Sequence, residues 1–85
     1  MYFVYIVKCK DETFYTGICT DLVRRILEHN TGKYKRAYTK GRAPVKLVYW
    51  ETSTDRSSAS KREIEIKGWG RFKKDKLIKS LRKVD

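Results

Sequence analysis

Two basic side chains, Arg25 and His29, occur on the helix-like part of the stretch from Tyr15 to His29. At about 100° per residue, positions four apart lie roughly 40° from each other around a helix. Arg25 and His29 therefore point together, just beyond the apolar stripe of this helix, and a tyrosine and a glycine turn lie close by in the sequence. This cluster suggests a site for an anionic substrate. The alternative is a surface helix whose arginines are solvated and whose histidine is incidental.

Glu63 is a carboxylate that helical periodicity places on an inward face. A helix is predicted from about Arg56 to Lys67, with Ala59 and Ile66 facing the core. Glu63 lies about 40° from Ala59, whereas Glu65 lies about 120° away and faces outward. An unpaired buried carboxylate is costly, so Glu63 needs a partner. That partner is either an arginine or lysine in a structural role or a divalent metal ion.

The candidate catalytic residues combine two tyrosines on adjacent predicted strands with the basic pair and the inward glutamate. They are Tyr5, Tyr15, Arg25, His29 and Glu63. Metal-assisted phosphodiester hydrolysis needs such a set. A carboxylate holds Mg²⁺ or Mn²⁺ against the phosphate, an arginine neutralises developing charge, and a tyrosine near a cation accepts a proton from water. The sequence contains no HxxEH-like zinc motif, Gly-rich nucleotide loop or Ser/His/Asp arrangement that would indicate a competing chemistry.

Two basic segments are candidates for binding a nucleic acid backbone. In the first, basic residues alternate with tyrosines, a pattern that can contact phosphates while rings stack on bases. The second is the lysine-rich terminal helix. The predicted contacts are Lys33, Lys35, Arg36, Tyr38, Lys40 and Arg42 in the loop, and Lys73 and Lys74 in the helix. The alternatives are a solvated connection and a solvated helix face.

The overall charge indicates a polyanionic partner. The 85 residues include 21 Lys+Arg and 10 Asp+Glu, a formal net charge of +11, which favours nucleic acid over a membrane surface. No apolar run approaches the roughly 20 residues of a membrane span, and no signal-peptide pattern follows Met1. Cys9 and Cys19 fit no metal-ligand spacing. We expect reduced thiols in a cytoplasmic protein, although one disulfide between them stays open.

Three strands are predicted, and the first is central. The segment from Tyr2 to Cys9 is apolar at almost every position, which is typical of a strand buried on both faces. The segment from Thr13 to Gly17 is predicted to pair with it as a hairpin, with Gly17 turning the chain into the first helix. The third strand is predicted from Val45 to Trp50. The aromatic residues expected in the core are Phe14, Trp50 and Trp69.

Three helices complete the predicted order β-β-α-β-α-α. Asp21 is expected to cap the first helix, which ends near Asn30, and Thr54 or Asp55 the second. The last helix is predicted to begin at Phe72 or Lys73. The apolar stripe of the first helix comprises Leu22, Val23, Ile26 and Leu27, and that of the last helix includes Leu77, Ile78 and Leu81. This order predicts one small α+β domain over residues 1–85, with a mainly antiparallel sheet flanked by helices.

The sequence resembles the GIY-YIG nuclease superfamily over nearly its whole length, and most closely the small stand-alone members. Phe3-Val4-Tyr5 stands at the place of the first family triplet and Tyr15-Thr16-Gly17 at the place of the second. The family's helix arginine falls on Arg25, a choice over Arg24 that helical geometry does not make. Together these motifs are specific, whereas one triplet alone is weak.

The resemblance also extends to the second half of the chain and implies a role for each residue. The stretch Arg62–Trp69 is similar to the family's glutamate segment and places the metal-binding carboxylate on Glu63. Tyr15 is implied as the likelier general base, with Tyr5 beside it, and Arg25 as the electrostatic clamp. The role implied for the histidine at position 29 is less defined. The family fold is a three-stranded antiparallel sheet with flanking helices.

The sequence departs from the family pattern at two positions near the site. The first triplet begins with Phe3 instead of glycine, and Ile18 stands where repair and restriction members often carry a lysine. That lysine is thought to depress a tyrosine pKa in the family, so Lys8 or His29 is considered as a substitute cation. There is also no attached DNA-binding domain, so the chain is expected to use its own basic segments or a partner protein.

Two hypotheses follow from the sequence. The first is a divalent-metal-dependent endonuclease that hydrolyses DNA phosphodiester bonds, in a structure-directed or repair role, with Mg²⁺ or Mn²⁺. The second is a non-catalytic or weakly catalytic module that binds DNA or RNA. Both share the basic surface, so binding alone does not separate them.

Overall fold

A three-stranded antiparallel sheet forms the centre of the molecule. The computed structural model describes residues 1–31 and 44–82. Its strands are β1 (Tyr2–Lys8), β2 (Phe14–Cys19) and β3 (Lys46–Ser53), arranged in the order β2-β1-β3. Both pairings are antiparallel, so the predicted α+β architecture and the central place of the first strand are confirmed.

Three helices cover the sheet: α1 (Leu22–Asn30), α2 (Arg56–Lys67) and α3 (Arg71–Arg82). The Asp21 side chain accepts a hydrogen bond from the Arg24 backbone N–H at the start of α1, as predicted. At the start of α2 the capping residue is Asp55, which accepts from the Ser58 N–H. None of the helices in the described parts of the chain is long and apolar enough to cross a membrane.

The sheet separates two hydrophobic cores, because successive side chains of a strand point to opposite faces. Val4 and Ile6 face the first core, which contains Ala59 and Ile66 of α2 and Ile78 of α3. The second core lies on the α1 side of the sheet. Its buried members are Tyr5, Val7, Cys9, Cys19 and Val45, with Leu22 and Ile26 of α1 packed against them. Cys9 and Cys19 do not form a disulfide with each other and are reduced thiols, as expected.

Gly17 does not turn the chain into α1, so that prediction was wrong. It lies inside β2, directly opposite Tyr5 of β1. A Cβ atom at Gly17 would be 2.6 Å from the Tyr5 hydroxyl oxygen and 2.7 Å from its Cζ. The glycine therefore provides the space that the phenol ring of Tyr5 occupies.

The apolar stripe of α1 is narrower than predicted. Val23 and Leu27 are 82% and 61% exposed, and only Leu22 and Ile26 pack on the sheet. A short helix across one face of a three-stranded sheet buries a limited arc, and positions at the edge of that arc stay in water. The expected placement of Trp50 in the core was also wrong. It lies on edge strand β3, is 41% exposed, and packs edge-on against Phe3.

Element boundaries differ from the prediction by a few residues, and one predicted segment lies outside the described residues. The third strand continues to Ser53, and α3 begins at Arg71. The basic loop residues from Lys33 to Arg42 lie in the part of the chain that the structure does not describe.

The contact between Gly17 and Tyr5 yields a prediction about stability. We expect Gly17→Ala to lower the free energy of unfolding by roughly 1–3 kcal/mol, because the new methyl group overlaps a fully buried ring. Gly68→Ala is the matched control, since a Cβ there makes only ordinary contacts of 3.5 Å or more. Urea unfolding measures both variants. Equal stability of the two would contradict the packing role assigned to Gly17.

Candidate active site

A groove lies along the exposed edge strand β2, between α1 on one face of the sheet and α2 on the other. It encloses about 540 Å³ and opens to solvent. Tyr15 of β2, Arg25 of α1 and Glu63 of α2 all line it. Three of the side chains predicted from separate parts of the sequence therefore meet in one place, whereas Tyr5 and His29 lie beneath the groove.

Arg25 is held at the groove by hydrogen bonds and by charge. Its Nη1 donates to the Ile18 carbonyl oxygen at 3.2 Å, and its Nε lies 3.5 Å from a Glu28 carboxylate oxygen. The side chain is partly exposed. The guanidinium is thus oriented by the backbone of β2 while it stays accessible from the groove, which suits a fixed donor for an anion.

Tyr5 and His29 form a buried pair below the groove. The Tyr5 hydroxyl oxygen lies 3.1 Å from His29 Nε2. Burial raises the pKa of Tyr5 well above its usual value, with the Arg25 guanidinium acting in the opposite direction. Burial also lowers the pKa of His29, and the positive charge of Arg25 lowers it further. A neutral phenol and a neutral imidazole therefore pack under Tyr15, whose ring lies 5.5 Å from that of His29.

Glu63 has the orientation that helical periodicity predicted. Ala59 and Ile66 are completely buried, and the Glu63 side chain beside them is 20% exposed and reaches the groove. Its protein partner is Lys67, whose Nζ lies 3.6 Å from Oε2. Glu65 points outward and pairs with Arg62. The sequence left open whether the partner of Glu63 is a basic side chain or a metal ion. In the structure a basic side chain, Lys67, lies beside it.

Lys67 is a site residue that the sequence analysis missed. Its Nζ lies 5.6 Å from the centroid of the Tyr15 ring, so it contacts both Tyr15 and Glu63. The signal available in the sequence was its spacing of four residues from Glu63 along α2. Lys8, considered as a substitute cation, lies on the opposite face of the sheet from Tyr15 and pairs with Glu12 at 2.6 Å. It is not part of the site.

Seven further residues line the groove without having been predicted as site residues: Tyr2, Gly17, Ile18, Cys19, Thr20, Arg56 and Ser60. Arg56, Ser60, Glu63 and Lys67 follow one another at spacings of four, three and four residues, so they form one stripe along α2. Lys73 and Lys74, predicted to bind nucleic acid, do not line the groove. The Lys73 ammonium instead lies over the Trp69 ring at 4.4 Å.

The donor set at the groove fits a hard divalent cation that is shared with a phosphate. In the described residues no group of three or more His, Cys, Asp or Glu side chains is placed to hold a metal ion. Mg²⁺ commonly uses only one or two carboxylates and completes its shell with water and substrate phosphate. The Glu63 carboxylate, which lines the same groove as Arg25 and is partly exposed, satisfies that requirement.

The model of the GIY-YIG catalytic domain matches residues 1–76. The chain belongs to the GIY-YIG family. GIY-YIG domains are in general nuclease domains that act on nucleic acid with divalent metal ions. The match covers the three strands, α1, α2 and the first part of α3, and it therefore includes every side chain of the groove.

Similar proteins carry the family designation UPF0213. One from Desulfotalea psychrophila is 52% identical over 82 residues, which are 96% of this chain and 74% of that protein. One from Staphylococcus epidermidis is 53% identical over 77 residues, 91% of this chain and 93% of that one. A solution NMR structure of a UPF0213 protein from Bacillus halodurans superposes with a TM-score of 0.59 at 41% identity, covering 93% of this chain and 84% of that one.

The buried histidine yields a prediction about pH. Because the pKa of His29 is lowered on folding, the unfolded chain binds a proton at higher pH than the folded chain does. The free energy of unfolding is therefore expected to fall as pH drops below about 6.5. The chain has one histidine, so His29→Gln should flatten this dependence between roughly pH 5 and 7. Urea unfolding across that range measures it, and an unchanged slope in the variant contradicts the assignment.

Proposed function

We propose that this GIY-YIG chain is a divalent-metal-dependent endonuclease that hydrolyses DNA phosphodiester bonds, in a structure-directed or repair role. We also propose that residues 1–85 act as one domain. The observation that supports the proposal best is the convergence of Tyr15, Arg25 and Glu63 on one solvent-open groove. These side chains come from a strand and from helices on opposite faces of the sheet. Their convergence supplies a carboxylate, a guanidinium and a phenol within reach of one phosphate.

Glu63 is the residue that would hold Mg²⁺ or Mn²⁺ in this proposal. When bound, the cation would supply Lewis-acid stabilisation of the leaving oxygen. In its absence Lys67 neutralises the carboxylate, which keeps a partly buried negative charge paired. Arg25 would bind the phosphoryl oxygens. Its guanidinium is already oriented by the Ile18 carbonyl, so little reorganisation is needed as charge develops.

Tyr15 is the proposed general base, and Tyr5 a residue that positions the site. Tyr15 lines the groove, which is open to solvent. With its hydroxyl proton lost to solvent, the Tyr15 phenolate oxygen would take a proton from a water molecule as the water oxygen attacks phosphorus. The bond from phosphorus to the leaving oxygen would break in the same step, and the leaving oxygen would take up a proton from solvent. The Lys67 ammonium lies beside the Tyr15 ring and helps to orient it. It is therefore next to the side chain that would carry negative charge as a phenolate. Tyr5 is buried and its pKa is raised, so its hydroxyl stays protonated. This hydroxyl forms the hydrogen bond with His29 Nε2.

A nucleic-acid-binding module with little or no catalysis is the second candidate. Two features favour it. The Glu63 carboxylate forms an ion pair with Lys67, and Ile18 stands where the resemblance to repair and restriction members of the family implies a lysine. The net charge of +11 supports binding to DNA or RNA in either case. Cleavage therefore separates the two candidates.

The first test compares two glutamates of the same helix. We expect Glu63→Gln to reduce nicking of supercoiled plasmid and cleavage of flapped DNA by roughly 10²-fold or more, because the group that holds the cation is lost. Glu65→Gln is the matched control, with the same chemical change on the outward face of α2. Product from wild type should also disappear when EDTA removes the metal. Equal rates for the two variants would point to a contaminating nuclease and contradict the proposal.

The second test distinguishes the two tyrosines. We expect Tyr15→Phe to lower kcat by roughly 10²–10⁴-fold, because the proton acceptor is removed, with little change in the free energy of unfolding. Tyr5→Phe should instead cost about 1–2 kcal/mol of that free energy, since it removes the buried hydrogen bond to His29. Single-turnover cleavage and urea unfolding measure these effects. Full activity in Tyr15→Phe contradicts its role as the base.

A further inference from the structure

Arg56, in the first turn of α2, is a groove residue to which the proposed chemistry assigns no role. It lies on the same stripe of α2 as Glu63 and two helical turns before it, roughly 11 Å along the helix axis. The strand register places it at a definite end of the groove. Tyr2 pairs with Ser53, and Arg56 follows Ser53 by three residues, so Arg56 lies near the start of β1.

This end of the groove carries hydroxyl groups as well as the arginine. The antiparallel pair Phe3–Cys19 brings the next residues of the two strands, Tyr2 and Thr20, to the same end of the sheet. Ser60 lies one helical turn after Arg56 and lines the same groove. Arginine, serine, threonine and tyrosine side chains are common contacts of nucleic acid phosphates. The groove thus continues beyond the catalytic residues along the length of β2.

Arg56 differs from other arginines in its electrostatic environment. Arg25, Arg62 and Arg71 each lie within 4.0 Å of a carboxylate oxygen. Within residues 1–31 and 44–82, no carboxylate forms an ion pair with Arg56. The adjacent Asp55 carboxylate accepts from the Ser58 N–H at 2.7 Å, a bond that lowers the pKa of Asp55. An exposed guanidinium that has no counter-ion among the described residues, at the end of a polar groove, is suited to an anion supplied by a ligand.

We propose that Arg56 binds a phosphate of the substrate strand about three nucleotides from the scissile phosphate. With the duplex axis parallel to α2, the distance of roughly 11 Å from Glu63, divided by the axial rise of about 3.4 Å per nucleotide of one strand, gives that separation. The ligand class is therefore a polynucleotide strand that extends past the cleaved bond on one side, and Arg56 determines specificity for that length. This inference rests on the proposed nuclease function and extends it.

The test combines a variant of the protein with truncation of the substrate. Arg56→Ala is compared with Lys61→Ala, which removes the same charge from an exposed position of α2 about 140° around the helix. Both act on flapped DNA with Mg²⁺ or Mn²⁺, shortened one nucleotide at a time on either side of the cleaved bond. We expect Arg56→Ala to raise KM by about tenfold on the long substrate with kcat little changed. On substrates that end within two nucleotides of the cleaved bond on one side, the KM of Arg56→Ala should equal that of wild type.

Three outcomes separate this inference from the function it rests on. Equal KM values for Arg56→Ala and Lys61→Ala at every substrate length overturn the inference and leave the nuclease intact. If wild type cleaves nothing, the nuclease proposal fails and binding to the same DNA decides the role of Arg56. A salt slope of log affinity that is smaller by roughly 0.7–0.9 in Arg56→Ala, and unchanged in Lys61→Ala, then supports the phosphate contact. Equal slopes in the two variants overturn it.

Discussion

The complete burial of the four central residues of β1 is the constraint on which the rest of the structure depends. Val4, Tyr5, Ile6 and Val7 have no exposed surface, so both faces of the sheet must be covered. With only 85 residues, this leaves room for one helix on one face and two on the other. The helices α1 and α2 consequently approach β2, an edge strand, from opposite sides. The groove is the space that this arrangement leaves at that edge, and its functional side chains come from both layers.

Packing and chemistry are connected through Tyr5. Its ring occupies the space above Gly17, and its hydroxyl contacts His29, so the glycine of the second triplet, the tyrosine of the first and the helix histidine form one packed unit. Burial keeps the phenol and the imidazole neutral, which avoids unpaired charge beneath a groove that already holds Arg25. The floor of the site is therefore buried and uncharged, whereas Arg25 and Glu63 line the solvent-open groove above it.

Glu63 and Arg25, two charged residues of the groove, each have a partner of opposite charge. In a chain with a net charge of +11, Glu63 is paired with Lys67, and Arg25 is paired with Glu28. Each pair orients a side chain that is also partly open to solvent. The excess of positive charge favours the approach of a polyanion, whereas the paired carboxylate supplies the negative group that a divalent cation requires.

The sequence by itself determined the order of elements, the central strand, the cap of α1 and the inward phase of Glu63, whereas it left Thr54 and Asp55 open as the cap of α2. These follow from local rules: apolar patterns of period two or 3.6, side chains that cap a nearby N–H, and rotation of 100° per residue. It also indicated that Arg25 and His29 share a side of α1. Only the tertiary structure decided that Arg25 reaches the groove while His29 is buried below it. Contacts between elements also decided four further features. They are the space that Gly17 leaves for the Tyr5 ring, the position of Lys67 over Tyr15, the location of Lys8 away from the site, and the position of Arg56 in the groove. No single segment contains that information, because strand register and the side on which each helix packs are set by the whole core.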